Sequence, residues 1–135
     1  MKQSNKITAI YCRTAHHDPD GFAIENQKQV LSRYATEQGY TNLAFYVDEG
    51  FSGLTFDRPS FVKLNANIKS GNVSAVIVKD ISRIGRNSIE VMKWIWKITD
   101  AGVSFISINQ PDGILPTETY LDALLAASLN GGERE

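Results

Sequence analysis

Apolar residues fall along this chain in short runs that alternate with stretches of helical spacing. Ile7 to Tyr11 is a compact apolar run of the strand type. Ile24, Gln27, Leu31, Tyr34 and Ala35 then recur at helical intervals, and Gly39 supplies a stop. Leu43 to Val47 reads as a second strand, followed by a loop from Glu49 to Arg58 holding Gly50 and Gly53. Pro59 opens a helix, where its missing N–H costs nothing. Phe61, Leu64 and Ile68 form that helix's apolar face, and Gly71 ends it. Val73 to Val78 is the least polar strand and is expected at the centre of a sheet. Asn87 or Ser88 can cap the next helix, whose apolar face is read as Ile89, Met92, Ile95, Trp96 and Ile98. That reading puts Trp96 in the core and leaves Trp94 exposed. Gly102 closes the helix, and Val103 to Ile108 is a fourth strand. Thr117 can cap a last helix carrying Leu121, Leu124, Leu125 and Leu129.

Strands alternating with helices predict an α/β domain of three layers, with a mainly parallel central sheet of about four strands and helices on both faces. At 135 residues the chain is expected to be one domain, residues 1–135. Gly131-Gly132 and the end soon after suggest that residues 117–130 begin a truncated helix of a longer protein. The composition, 42% hydrophobic and 21% charged, is ordinary for a globular protein. A net charge of -1 argues against holding nucleic acid by bulk electrostatics. The charge is uneven, however. From Lys79 to Lys97, Lys79, Arg83, Arg86, Lys93 and Lys97 face only Asp80 and Glu90. The segment from Asp112 onward is acidic, so one face can meet phosphate while the whole stays neutral. The lone Cys12 excludes an internal disulfide, which fits a reducing cytoplasm. No membrane-spanning apolar stretch and no zinc-type ligand spacing are present. His16-His17 lacks a third ligand and reads as loop.

The candidate chemistry sits where strands end. Arg13 follows the first strand, and Asp48 ends the second, with Ser52 and Arg58 in the loop beyond. Ser82, Arg83 and Arg86 follow the third, and Gln27 lies on the first helix. In a doubly wound sheet such positions can converge on one crevice. A guanidinium grips a phosphate oxyanion bidentately and stays charged at any working pH. Singly, each residue has a plain reading: arginines as solvated surface or ion pairs, Gln27 as a surface amide, Ser52-Gly53 as a turn. No glycine-rich nucleotide loop and no carboxylate cluster of a two-metal nuclease is present.

Taken in order, Tyr11-Cys12-Arg13-Thr14-Ala15, Ile24-Glu25-Asn26-Gln27, Tyr46-Val47-Asp48-Glu49-Gly50-Phe51-Ser52-Gly53, Phe56-Asp57-Arg58-Pro59 and Val78-Lys79-Asp80-Ile81-Ser82-Arg83-Ile84-Gly85-Arg86 resemble the catalytic domain of serine site-specific recombinases, the resolvase/invertase family. The likeness covers about residues 6 to 130 and is greatest to the large serine recombinases of mobile elements. It implies a resolvase-like fold and DNA recombination by attack of a serine on a phosphodiester, through a 5′-phosphoserine link, with no metal or nucleotide cofactor. By resemblance, Arg13, Arg58, Arg83 and Arg86 surround the scissile phosphate. Gln27 and Asp48 help position the site, with Tyr11, Ser52 and Ser82 in support. Many members carry aspartate where this chain has Ser82. The implied partners are double-stranded DNA, bound weakly without a separate carboxyl-terminal DNA-binding domain absent from these residues, and further subunits that form dimers and tetramers in the full-length protein.

One position departs from the pattern. The family's Tyr-x-Arg-x-Ser ends here in Ala15, and a methyl group cannot attack phosphorus. Strand alternation puts Tyr11, Arg13 and Ala15 on one face and Cys12 and Thr14 on the other, so Thr14 could substitute only through a one-residue slip. Two origins of Ala15 are open, a directed change or a natural loss. Three functions are expected to compete: a recombinase domain inactive as written, a recombinase-like module that binds DNA or a partner, and a phosphate-binding α/β domain unrelated to DNA.

Overall fold

In the computed structural model, residues 6–16 and 21–109 are described. Their element order is β1 (Ile7–Thr14), α1 (Phe22–Glu37), β2 (Leu43–Glu49), α2 (Pro59–Lys69), β3 (Val73–Val78), a short 3-10 turn at Ile81–Arg83, α3 (Ser88–Asp100) and β4 (Ser104–Ser107). The helix expected from Thr117, Gly131-Gly132 and His17 lie outside the described residues.

The four strands form one parallel sheet in the order β2-β1-β3-β4. β3 is internal, as its apolar run predicts, because an internal strand of a covered parallel sheet is buried on both faces. Helix α1 covers one face, packing Ile24, Leu31 and Ala35 on Ile10, Cys12, Ala75, Ile77 and Ile106. Helices α2 and α3 cover the other with Phe61, Leu64, Val91, Trp94, Ile95 and Ile98 over Ala9, Tyr11, Val76, Val78 and Phe105. Adjacent residues of β1 thus serve opposite cores, Tyr11 one and Cys12 the other, as strand alternation requires. The chain leaves β1 toward β2 on one side and returns to β3 on the other. The carboxyl ends of β1 and β3 therefore flank the topological switch point, where a crevice opens.

Two sequence expectations need correction. Strand β1 continues to Thr14 rather than stopping at Tyr11. Pairing with β2 carries it on, with Cys12, Arg13 and Thr14 opposite Val47, Asp48 and Glu49. The apolar face of α3 is Val91, Trp94, Ile95 and Ile98, so Trp94 is core and Trp96 is 48% exposed. The helix carries two apolar stripes, and the choice falls to the one whose indole finds a partner. Trp94 Nε1 donates to Asn65 Oδ1 at 2.7 Å, and its ring lies 5.1 Å from Phe61 and 6.0 Å from Phe105.

Candidate active site

Asp48 organises the floor of the crevice. Helix α2 begins after Arg58, whose own side chain does not cap it. The cap comes instead from the end of β2: Asp48 Oδ1 accepts from Ser60 N at 2.9 Å, and Oδ2 from Phe61 N at 3.0 Å. A carboxylate on the first free N–H groups of a helix also sits at the positive end of its dipole. Oδ2 further accepts the Tyr11 hydroxyl at 2.7 Å. Burial, and then this bond, push the Tyr11 phenol far above its ordinary range, so it stays protonated. The Tyr11 oxygen in turn accepts from Arg58 Nη1 at 2.8 Å. Asp48 therefore reaches Arg58 through the Tyr11 hydroxyl.

Arg58 is only 1% exposed. Its guanidinium lies 4.6 Å from the Phe61 ring centre, and its N–H groups go inward. Nε donates to the Thr55 carbonyl at 3.0 Å, Nη1 also to the Arg83 carbonyl at 3.1 Å, and Nη2 to the Ile84 carbonyl. Arg13, equally buried, donates from Nε to the Arg83 carbonyl at 3.0 Å, from Nη1 to Phe51 at 2.8 Å and from Nη2 to Ser82 at 2.6 Å. Burial first, and then repulsion by Arg58, lower its pKa, yet a guanidinium remains charged. Both side chains thus tie the loop after β2 and the turn after β3 to the end of β1. Gly53 fits this junction because it has no Cβ. A methyl there would stand 2.8 Å from both Arg13 Nη2 and Arg86 Cγ.

The other two arginines have their forks less engaged. Arg83 Nη1 donates to the Arg13 carbonyl at 3.1 Å, and Nε pairs loosely with Asp80 at 3.7 Å. Arg86 is exposed, and its backbone N–H holds the Gly53 carbonyl at 2.9 Å. Gln27, though on a helix, is buried and pairs with the Arg13 backbone, accepting from its N–H at 3.3 Å and donating to its carbonyl at 3.2 Å. Ser52 makes a local turn, accepting from Leu54 N at 3.0 Å. The Ser82 hydroxyl bonds Asp80 Oδ1, and Ser82 holds Arg13 through its carbonyl. Ala15 is exposed just past the end of β1. Thr14 points to the opposite, α1 side, buried, and its Oγ1 finds no hydrogen-bond partner among the described residues. Leaving such a group unpaired costs about 1–3 kcal/mol.

The expected residues therefore converge at one place, in distinct roles. Arg13, Arg58, Gln27 and Asp48 are committed to holding backbone, with Tyr11 linking Asp48 to Arg58, whereas Arg83 and Arg86 retain N–H groups for an anion. The sequence reading did not single out Asn26 or Lys79, nor Phe22, which is 77% exposed on the first turn of α1. With Thr14, Gln27 and Arg83 they line a pocket of about 530 Å³ on the α1 side of the crevice. The basic bias of the segment from Lys79 was the available signal for Lys79, and an apolar residue outside the Ile24–Leu31 stripe was the signal for Phe22. Among the described residues no helix is long and apolar enough to cross a membrane.

The chain is similar in sequence and fold to known proteins. The family model "Resolvase, N terminal domain" aligns with residues 8–131. The N-terminal catalytic domain of TP901-1 integrase superimposes with a TM-score of 0.77 at 28% identity, covering 96% of this chain and 99% of that one. A resolvase family site-specific recombinase from Streptococcus pneumoniae gives 0.74 at 28% identity, covering 96% and 89%. Among curated proteins, an uncharacterised immunity region protein 3 of Bacillus phage phi105 is 35% identical over 68 residues, 49% of this chain and 83% of that protein. A putative DNA recombinase of Bacillus subtilis strain 168 is 32% identical over 82 residues, 59% of this chain but 16% of that protein.

Proposed function

This chain belongs to the resolvase N-terminal domain family, the catalytic domain of serine recombinases, and we propose that it is a DNA strand-transfer domain whose phosphate grip is in place and whose attacking hydroxyl is missing. Domains of this family act on DNA in site-specific recombination. In the reaction we propose for this fold, a serine oxygen at the position of Ala15 bonds to phosphorus. The bond to the 3′ oxygen breaks and that oxygen takes a proton, leaving a 5′-phosphoserine link that the reverse attack rejoins. Arg83 and Arg86 stabilise the charge that develops on the phosphoryl oxygens, the work that preorganised donors do most effectively. Arg13 and Arg58 hold the loops that aim them, Gln27 fixes the end of β1, and Asp48 with Tyr11 fixes Arg58.

One observation carries this reading. Arg13 and Arg58 both donate to the Arg83 carbonyl, so three motif arginines interlock beside the strand end that bears Ala15. The chain spans a small part of the Bacillus subtilis recombinase, so sequence-specific DNA binding and assembly into dimers and tetramers are assigned to further parts of such a protein. Alone, these residues are expected to bind DNA weakly, without sequence preference and with steep salt dependence. Ala15 itself favours a second reading, a recombinase-like module that binds DNA or pairs with an active subunit. Incubation of Ala15→Ser with a nicked crossover duplex tests the first. A covalent protein–DNA band on a denaturing gel is expected. Its absence from a folded variant overturns the reading, and a band from the Ala15 chain itself would point to Thr14.

A further inference from the structure

The pocket beside α1 holds chemistry that the proposed strand transfer leaves unused. Its polar walls are Thr14, Asn26, Gln27, Lys79 and Arg83, and the Phe22 ring stands at its rim. Gln27 is occupied with the Arg13 backbone. Thr14 is 8% exposed, and its Oγ1, without a hydrogen-bond partner among the described residues, is closed to solvent behind the pocket wall. Lys79 is partly exposed directly after β3 and has no ion-pair partner among the described residues. Among the described residues no carboxylate lines the pocket, and the nearby Asp80 is shared with Arg83 at 3.7 Å. Two cations, Lys79 and Arg83, beside one space suit an oxyanion, and the volume of about 530 Å³ suits more than an ion. An exposed aromatic ring next to phosphate-binding cations is the pairing that holds an unpaired nucleotide, by stacking on the base and neutralising its phosphate.

We propose that this pocket is a nucleotide subsite, in which Lys79 holds a backbone phosphate adjacent to the one at Arg83 and Arg86, and Phe22 stacks on an unpaired base of the same strand. The proposal rests on the strand-transfer reading. It gives the domain a means of keeping a DNA strand end in place after cleavage, independent of any covalent link.

The test is the anisotropy of a short labelled single-stranded oligonucleotide, titrated with the 135-residue chain over a range of salt concentrations. In Lys79→Gln the slope of log affinity against log salt becomes shallower by about 0.7, one phosphate of a single strand. In Phe22→Ala the affinity drops by about fivefold or more while the slope is kept. Lys63→Gln, on the exposed side of α2, changes neither. Thermal melts confirm that each variant is folded. An unchanged slope in Lys79→Gln overturns the subsite while the salt-dependent binding of the unaltered chain still supports the strand-transfer reading. No binding by the unaltered chain overturns both. A parallel titration with inorganic phosphate separates the sources. If Lys79→Gln abolishes phosphate binding but leaves the oligonucleotide slope alone, the pocket is a small-anion site and the assignment to DNA is wrong.

Discussion

Four arginines that look equivalent in the sequence differ sharply in what surrounds them. Arg58 satisfies the carbonyls of Thr55, Arg83 and Ile84 from a fully buried position, whereas the Arg86 side chain is exposed. Arg58→Met keeps much of the packing but orphans buried carbonyls, and should cost about 3 kcal/mol or more. Arg86→Ala should change stability by no more than about 0.5 kcal/mol while weakening DNA binding. Urea unfolding of the two variants checks this, and equal losses would contradict the division of roles. The motif could identify all four arginines because residue type and order suffice for that. It could not separate them, because the partners of Arg58 are backbone carbonyls, which leave no trace in a sequence. Asp48 was likewise legible as a site residue, but its capping of α2 depends on the alignment of β2 with a helix that starts ten residues later.

At the scale of elements, periodicity located every described helix and strand, and it failed where a helix offered two apolar stripes. In α3 the decision between Trp94 and Trp96 was made by Asn65 on α2 and by the Phe61 and Phe105 rings, all remote in sequence. Trp94→Ala is therefore expected to cost about 3–5 kcal/mol, and Trp96→Ala less than about 0.5 kcal/mol. Chemical denaturation followed by circular dichroism measures both. Strand β1 shows the opposite kind of miss. Its last three residues include an arginine and a threonine, so composition alone ends the strand early, yet pairing with β2 extends it. That extension determines where Arg13 and Ala15 stand, so the site depends on the part of β1 that apolarity does not reveal.

For the molecule as a whole, the switch point between β1 and β3 explains why residues from four separate segments meet. The alternation of strands and helices made that architecture readable, since short crossovers in parallel sheets leave few arrangements. The same burial makes the domain sensitive to alkali. The Cys12 thiol, on the α1 face, is pushed by burial from an ordinary 9.0 up to about 12. The folded chain keeps this proton after the unfolded chain has lost it. The associated stability is thus full below about pH 9 and is lost as pH rises toward 12, by about 4 kcal/mol in all. Tyr11, also raised, adds in the same direction above about pH 10. Urea midpoints measured from pH 7 upward should fall more steeply for the unaltered chain than for Cys12→Ala, and parallel profiles would contradict this.

The central claim is that a complete phosphate grip surrounds a position lacking only its nucleophile. Peptide mapping by mass spectrometry, after Ala15→Ser has reacted with a nicked crossover duplex, tests it most directly. The account predicts a nucleotide-phosphate adduct on residue 15, abolished by adding Arg83→Ala and never formed by the Ala15 chain. An adduct at Thr14, Ser52 or Ser82, or none on a folded Ala15→Ser protein, would contradict it.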